Sequence, residues 1–354
     1  MSKFLTEKYN KLKPYTPGEQ PKEKKYVKLN TNESPFPPSE NAVKLARREA
    51  ERLMLYSDPE CREVGELLAK TYGVDYSNVI LTNGSDEVLN FAFMAYCDEK
   101  TPALFADITY GFYKVFANVN NLPYREIPLT EDFKINTDDY IGIKGTVFIA
   151  NPNAPTGIAL KVSEIEKILE SDKDRIVVID EAYVDFGAES CIPLINKYDN
   201  LIVTGTFSKS RSMAGARLGF GIASAALIED LTRIRYSTNP YNVNRMSAAA
   251  GVGALMDKEY FEENCKKIIE NRSFTERELK ALGFEFTRSS ANFIFAKHGR
   301  ISGEKLYLEL KKKGVLVRHF TAPIITEYNR ITIGSREEMQ ILVSRIKEIL
   351  EENL

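Results

Sequence analysis

The chain has 354 residues, of which 43% are hydrophobic and 28% charged, with a formal net charge of −2. That is more chain than one hydrophobic core usually serves, in a composition ordinary for a globular enzyme. The near-neutral balance leaves no electrostatic footprint for nucleic acid or an anionic membrane, and no apolar run is long enough to cross a bilayer. Cys61, Cys97, Cys191 and Cys265 form no CxxC pair and read as reduced thiols of a cytoplasmic protein. The N-terminal residues lack the apolar centre of a signal peptide. His298 and His319, the only histidines, sit in no metal-ligand spacing and serve no GxSxG elbow, and the glycine signatures of nicotinamide and P-loop sites are absent. Acid–base work must therefore come from Lys, Asp, Tyr or Glu, with no metal expected.

In chain order, residues up to about Lys28 are polar and rich in Pro and Lys and read as an extended arm. From Glu40 to Leu55 apolar residues recur at helical spacing. Strands and helices then alternate: Val79 to Leu81, a helix from about Asp86 to Cys97, and Ala103 to Phe105. Further strands run from Thr146 to Ala150, from Ile176 to Ile179, and over Leu201 to Val203. These short unbroken aliphatic runs predict parallel strands covered on both faces. In such sheets the ligand site lies beyond the carboxyl ends of the strands. After about Met246 the pattern changes to a long helical stretch reaching Leu282, then strands near Phe284, Asn292, Val315 and Arg330. Helices are expected over Gly303 to Lys313 and Arg336 to Leu350. The whole reads as an α/β chain: an arm over 1–28, a large domain over 29–245 with a mostly parallel sheet flanked by helices, and a smaller α+β domain over 246–354. The first helix is assignable to the small domain as well.

The most informative segment runs from Thr204 to Gly219. It sets Lys209 just beyond a buried strand, where an amine can lose its solvation and become a nucleophile toward aldehydes. Thr206, Ser208 and Arg217 are suitable donors to a phosphate. An aldehyde-binding lysine beside a phosphate cup suggests pyridoxal 5′-phosphate (PLP), although the composition also fits a surface loop. Ser85 and Asp86 open a helix, which either binds an anion or is simply capped. Tyr110 follows a strand and either stacks on a flat ring or fills a loop. Asp180 ends an apolar strand, where a carboxylate wants a cation or a salt bridge. Tyr183, three residues on, could donate to a phenolic oxygen.

Taken together, these segments resemble the fold-type I PLP-dependent aminotransferases, and within them the branch that acts on histidinol phosphate. The matching stretches begin at Leu29-Asn30-Thr31-Asn32-Glu33-Ser34-Pro35 and end at Arg330-Ile331-Thr332-Ile333-Gly334-Ser335. Between them lie Tyr56-Ser57-Asp58-Pro59, Asn83 to Glu87, Thr109 to Tyr113, the Pro155-Thr156-Gly157 turn, Asp180 to Tyr183, the Lys209 segment and Pro240 to Asn244. The resemblance implies that Lys209 holds PLP as a Schiff base and shuttles the proton. It implies that Asp180 keeps the pyridine nitrogen protonated, that Tyr183 bonds the phenolic oxygen and that Tyr110 stacks on the ring. Ser85, Asp86, Thr206, Ser208 and Arg217 would hold the phosphate. Tyr56 would reach the phosphate of a neighbouring subunit's cofactor, which makes the expected assembly a homodimer with shared sites. Where the family carries Asn before Pro-Thr-Gly, this chain has Ala154, preceded by Asn153; Asn153 is the candidate substitute, or Tyr183 acts with water.

For substrates, Arg330 is similar to the family arginine that binds the α-carboxylate of glutamate and can also hold a phosphate monoester. Tyr15, Asn32 and Arg318 resemble positions of that anion pocket, while a surface ion pair is the alternative for Arg318. The expected reaction is ping-pong transfer between histidinol phosphate, a phosphorylated amino alcohol, and 2-oxoglutarate, giving imidazole-acetol phosphate and glutamate. An aromatic-amino-acid aminotransferase, a threonine-phosphate-decarboxylase-like enzyme and a catalytically idle binding protein are the competing readings.

Overall fold

The computed structural model describes every residue except Met1, Lys11, Lys13, Pro14, Lys22, Lys24 and Leu354, so those positions of the expected arm lie outside the described residues. A seven-stranded sheet runs in the order Val79–Thr82, Gly219–Ala223, Leu201–Thr206, Val177–Asp180, Thr146–Ala150, Ala103–Ala106, Tyr124–Ile127. Neighbours pair in parallel except Gly219–Ala223, which is antiparallel to both of its partners. The unbroken aliphatic runs are explained by two cores, because successive side chains on a strand point to opposite faces. Val147, Ile149, Val177, Ile179, Leu201 and Val203 feed one apolar cluster, which the helices Arg62–Tyr72, Val162–Ser171 and Arg245–Met256 cover. Phe148, Val178 and Ile202 feed the other, beneath Ser85–Tyr96, Phe112–Val119 and Ala225–Thr238.

Two strands escape the aliphatic pattern. Tyr124–Ile127 lies at the sheet edge and is largely polar and exposed. Gly219–Ala223 is glycine-rich because other backbone lies against it: a Cβ on Gly219 would stand 2.3 Å from the Gly84 carbonyl carbon and from Ser85 N. That close approach seats the Gly84–Ser85 turn on the sheet.

A second sheet has the order Val27–Leu29, Val315–His319, Asn329–Thr332, Phe293–His298, Phe284–Phe286. Its core includes Leu29, Phe293, Ile331, Leu342 and Ile346, and it also takes in Ala154, Tyr183 and Phe186 from loops beyond the large sheet. The two sheets therefore meet at the carboxyl ends of the large sheet's strands.

Several helix limits differ from the sequence expectation. The first long helix stops at Ala50 rather than Leu55, and Leu53, Met54 and Leu55 stand exposed after it. The stretch expected from Met246 to Leu282 is two helices, Arg245–Met256 and Lys258–Ala281. The break falls at Asp257, whose carboxylate accepts from the backbone N–H and side-chain amide of Asn41. Arg245–Met256 packs on Glu40–Ala50 so closely that a Cβ on Gly253 would lie 2.4 Å from Ala42 N. No helix among the described residues is long and apolar enough to cross a membrane.

Candidate active site

Strand ends deliver the central groups. Beyond Leu201–Thr206, buried Phe207 anchors the turn, and the Lys209 amine donates to the Thr31 carbonyl at 3.4 Å. The amine stands 5.8 Å from the centre of the Tyr183 ring. Asp180, the last residue of Val177–Asp180, is buried. Its carboxylate accepts from the hydroxyls of Tyr113 and Thr204, both at 3.3 Å, and from Ala182 N at 3.2 Å. Burial, with Asp86 adding repulsion, pushes its pKa up to about 6. Among the described residues no cation pairs with it. A buried carboxylate held by neutral donors alone is stabilised strongly by any cation placed against it.

An anion cup adjoins these groups. Gly84, at φ 76°, turns the chain into the helix Ser85–Tyr96, whose first turn presents backbone donors and the positive end of the helix dipole. Arg217 reaches the same place from a left-handed backbone (φ 54°), donating to Ser208 Oγ at 3.3 Å and pairing with Asp86 at 3.1 Å. Thr206 Oγ1 donates to Ser208 Oγ at 3.0 Å and accepts from Ser208 N at 3.1 Å. Tyr110 donates to Asp86 at 2.6 Å. Ser85, Asp86, Tyr110, Asp180, Tyr183, Thr206, Ser208, Lys209 and Arg217 thus share one cavity of about 170 Å³.

A larger cavity of about 490 Å³ continues from it past Thr31, Glu33, Tyr110, Ala154, Tyr183 and Lys209. Tyr15, Asn32, Arg318 and Arg330 line it as well. Arg330 donates to the Asn30 carbonyl at 3.1 Å, lies over the rings of Phe293 and Phe320, and keeps a buried Nε without a partner. Burial lowers its pKa. Arg318 spends its donors on the carbonyls of Thr16 and Pro17, and neither arginine has a carboxylate partner among the described residues. Tyr15 packs on Phe112 with ring centres 4.5 Å apart.

Of the expected site residues, Asn153 is not brought to these cavities, and Tyr56, expected at a neighbouring subunit's cofactor, lies away from them in its own subunit. Asn153 is buried, and its amide donates to the Ile108 carbonyl at 2.9 Å and to Thr156 Oγ1 at 3.2 Å; it lines a separate cavity beside Phe286 and Arg288. Ala154 is the residue of that turn facing the cofactor-sized space. Tyr56 is 79% exposed and stacks on Tyr241 at the surface. The sequence reading missed Thr31, Glu33, Tyr113, Thr204 and Thr332. Tyr113 and Thr332 lie inside segments that carried the resemblance, but no periodicity marks them as contacts of Asp180 or Asn32.

Residues 24–346 match the family described as aminotransferase class I and II. The chain is 48% identical over 353 residues to a histidinol-phosphate aminotransferase of Brachyspira hyodysenteriae, covering 99% of this chain and 100% of that protein. It is 47% identical over 351 residues to the enzyme of that name from Clostridium acetobutylicum, again covering 99% and 100%. Among solved structures, histidinol-phosphate aminotransferase from Sinorhizobium meliloti in complex with pyridoxal-5′-phosphate matches with a TM-score of 0.86 at 22% identity, covering 93% of this chain and 92% of that one. L-threonine-O-3-phosphate decarboxylase from Porphyromonas gingivalis matches at 0.79 and 21%, covering 92% and 99%. At those identities the structures speak to the fold alone, and they bear out the expected α/β fold.

Proposed function

The chain belongs to the class I and II aminotransferases, and from that premise we propose that it transfers the amino group between L-histidinol phosphate and 2-oxoglutarate, with pyridoxal 5′-phosphate as cofactor. The observation that carries the cofactor reading is the buried Asp180 carboxylate, which faces Lys209 across one cavity and lacks a cation among the described residues. When bound there, PLP supplies an aldehyde for amines and an electron-accepting ring.

Lys209 is the amine that would hold the aldehyde and move the proton at the substrate α-carbon. Asp180 would hold a proton on the pyridine nitrogen, and Tyr113 and Thr204 fix its carboxylate in place. The backbone of Ser85 and Asp86, with Thr206, Ser208 and Arg217, would hold the phosphate, and the Arg217–Asp86 pair sets the guanidinium's direction. Tyr110 would supply a stacking face and Tyr183 a hydroxyl for the phenolic oxygen. Arg330 and Arg318, with Tyr15, form the distal anion site for the substrate's phosphate or the carboxylate of glutamate.

The same reading makes the working unit a cytoplasmic homodimer. The exposed run Leu53, Met54, Leu55 and Tyr56, together with Tyr241, supports a partner surface of that kind.

The test is the half-reaction, followed by the cofactor's absorbance on adding L-histidinol phosphate or L-phenylalanine. Fast conversion by the first and slow conversion by the second is expected. The opposite preference would move the enzyme to the aromatic amino acids and leave the cofactor site as described.

A further inference from the structure

We propose that Asn32 is a positioning residue: held by Thr332, its side-chain amide orients the Tyr183 hydroxyl so that the hydroxyl hydrogen is directed into the cofactor cavity. The inference rests on the reading of that cavity given above. Asn32 is buried in a left-handed backbone at φ 55° and bonds at every polar group. Its backbone N–H donates to Thr332 Oγ1 at 2.9 Å, and its carbonyl accepts from Asn292 at 3.0 Å. Its Oδ1 accepts from Thr332 Oγ1 at 3.0 Å, and its Nδ2 donates to Tyr183 Oη at 3.0 Å.

The directions follow from counting hydrogens. Thr332 is buried, and its only acceptor among the described residues is Asn32 Oδ1. A flipped amide would leave that hydroxyl hydrogen without a partner, which costs on the order of 1–3 kcal/mol. With Oδ1 committed to Thr332, Nδ2 must face Tyr183. The phenol oxygen then accepts from Asn32, and its own hydrogen has no acceptor among the described residues. The open direction is the cavity that Tyr183 lines.

The turn that would carry a second donor has none to offer. Ala154 has no polar side chain, and the Asn153 amide donates to Ile108 and Thr156. Tyr183 therefore takes on a task that two groups otherwise share, and its orientation is set from the other sheet. Thr332 lies two residues beyond Arg330 on the same strand, so the strand bearing the anion-site arginine also supports the cofactor's hydroxyl partner.

A hydrogen bond donated to the cofactor's phenolic oxygen stabilises its ionised form, so weakening the donor moves the cofactor's titration to higher pH. The experiment titrates the visible absorbance of cofactor-loaded protein across neutral pH. Asn32→Gly suits the left-handed backbone and keeps the backbone donor to Thr332; an upward shift on the order of half a unit to one unit is expected. Thr332→Val, which retains Asn32 but releases its amide, is expected to shift the titration the same way and carries the test if the glycine variant fails to fold. Tyr183→Phe should shift it at least as far, and adding Asn32→Gly to Tyr183→Phe should shift it no further. If Tyr183→Phe shifts the titration while the Asn32 and Thr332 variants do not, or if the Asn32 effect persists without the hydroxyl, the proposal is overturned and the cavity reading stands. If Tyr183→Phe shifts nothing, the reading of Tyr183 fails and the proposal with it.

Discussion

Arg318 and Arg330 occupy directly opposed positions on neighbouring antiparallel strands. Like charges set opposite each other across a ladder repel, and no carboxylate pairs with either among the described residues. An anion bound in the cavity that both line would offset that repulsion.

Arg330→Ala is expected to lower kcat/KM for both histidinol phosphate and glutamate by roughly 100-fold or more, because a charge-assisted contact is lost and the partner anion is left unpaired. Arg318→Ala should affect the phosphorylated substrate more than glutamate. Arg330→Lys should rescue poorly, since an ammonium cannot reproduce the planar fork. Steady-state kinetics on both substrates decide this; equal, small losses at either arginine would remove them from the anion site.

The Asp180 carboxyl makes stability depend on pH in a definite direction. Burial raises its pKa from the ordinary 3.8 to about 6, so the folded protein binds the proton more tightly than the unfolded chain. The burden of burying the charge is thus absent below the unfolded pKa and fully present above the folded one. Asp180→Asn should stabilise cofactor-free protein at about pH 8 by up to about 3 kcal/mol and have little effect near pH 4. Because Glu181 is also raised, to about 7, the informative quantity is the difference between variant and parent melting curves. The same substitution should weaken activity sharply, so a variant less stable than the parent at alkaline pH would contradict the account.

Gly219→Ala should damage the anion cup without touching any charged group. The new Cβ would meet rigid backbone at Gly84 and Ser85 at 2.3 Å, and relieving such an overlap typically costs about 1–3 kcal/mol. Displacement of the Gly84–Ser85 turn should loosen cofactor binding as well as lower the urea midpoint. Gly215→Ala, with nothing within 4 Å of the added atom, is the matched control and should do neither.

The shared-site dimer predicts complementation. Tyr56→Ala and Lys209→Ala variants, each inactive alone, should regain activity when mixed and allowed to exchange subunits. Half of the resulting dimers would be mixed, each with one intact site, giving about a quarter of parental activity. No recovery, with exchange verified by size and labelling, would place Tyr56 outside the partner's site.

Local order along the chain determined the parallel part of the large sheet and the neighbourhood of Lys209. The reason is physical: Val177, Val178 and Ile179 are apolar at consecutive positions because two cores need them, and such a run announces itself in one dimension. Asp180, which ends one of those strands, and Lys209, just beyond another, inherit a location from the sheet, so their convergence was legible too. What the sequence left undecided depended on contacts between distant segments. Gly219–Ala223 is a strand because it pairs with Val79–Thr82 and Leu201–Thr206, and the helix expected across Asp257 breaks where Asn41 meets a carboxylate. Asn153 looked like the substitute for the missing family asparagine, yet Ile108 and Thr156 take its amide. Asn32 was legible as a residue of the substrate cavity, but not as the side chain that bridges Thr332 and Tyr183, residues separated from it by 300 and 151 positions. Where an amide hydrogen goes is settled by whichever acceptor the fold brings within 3 Å, and only the tertiary structure makes that choice.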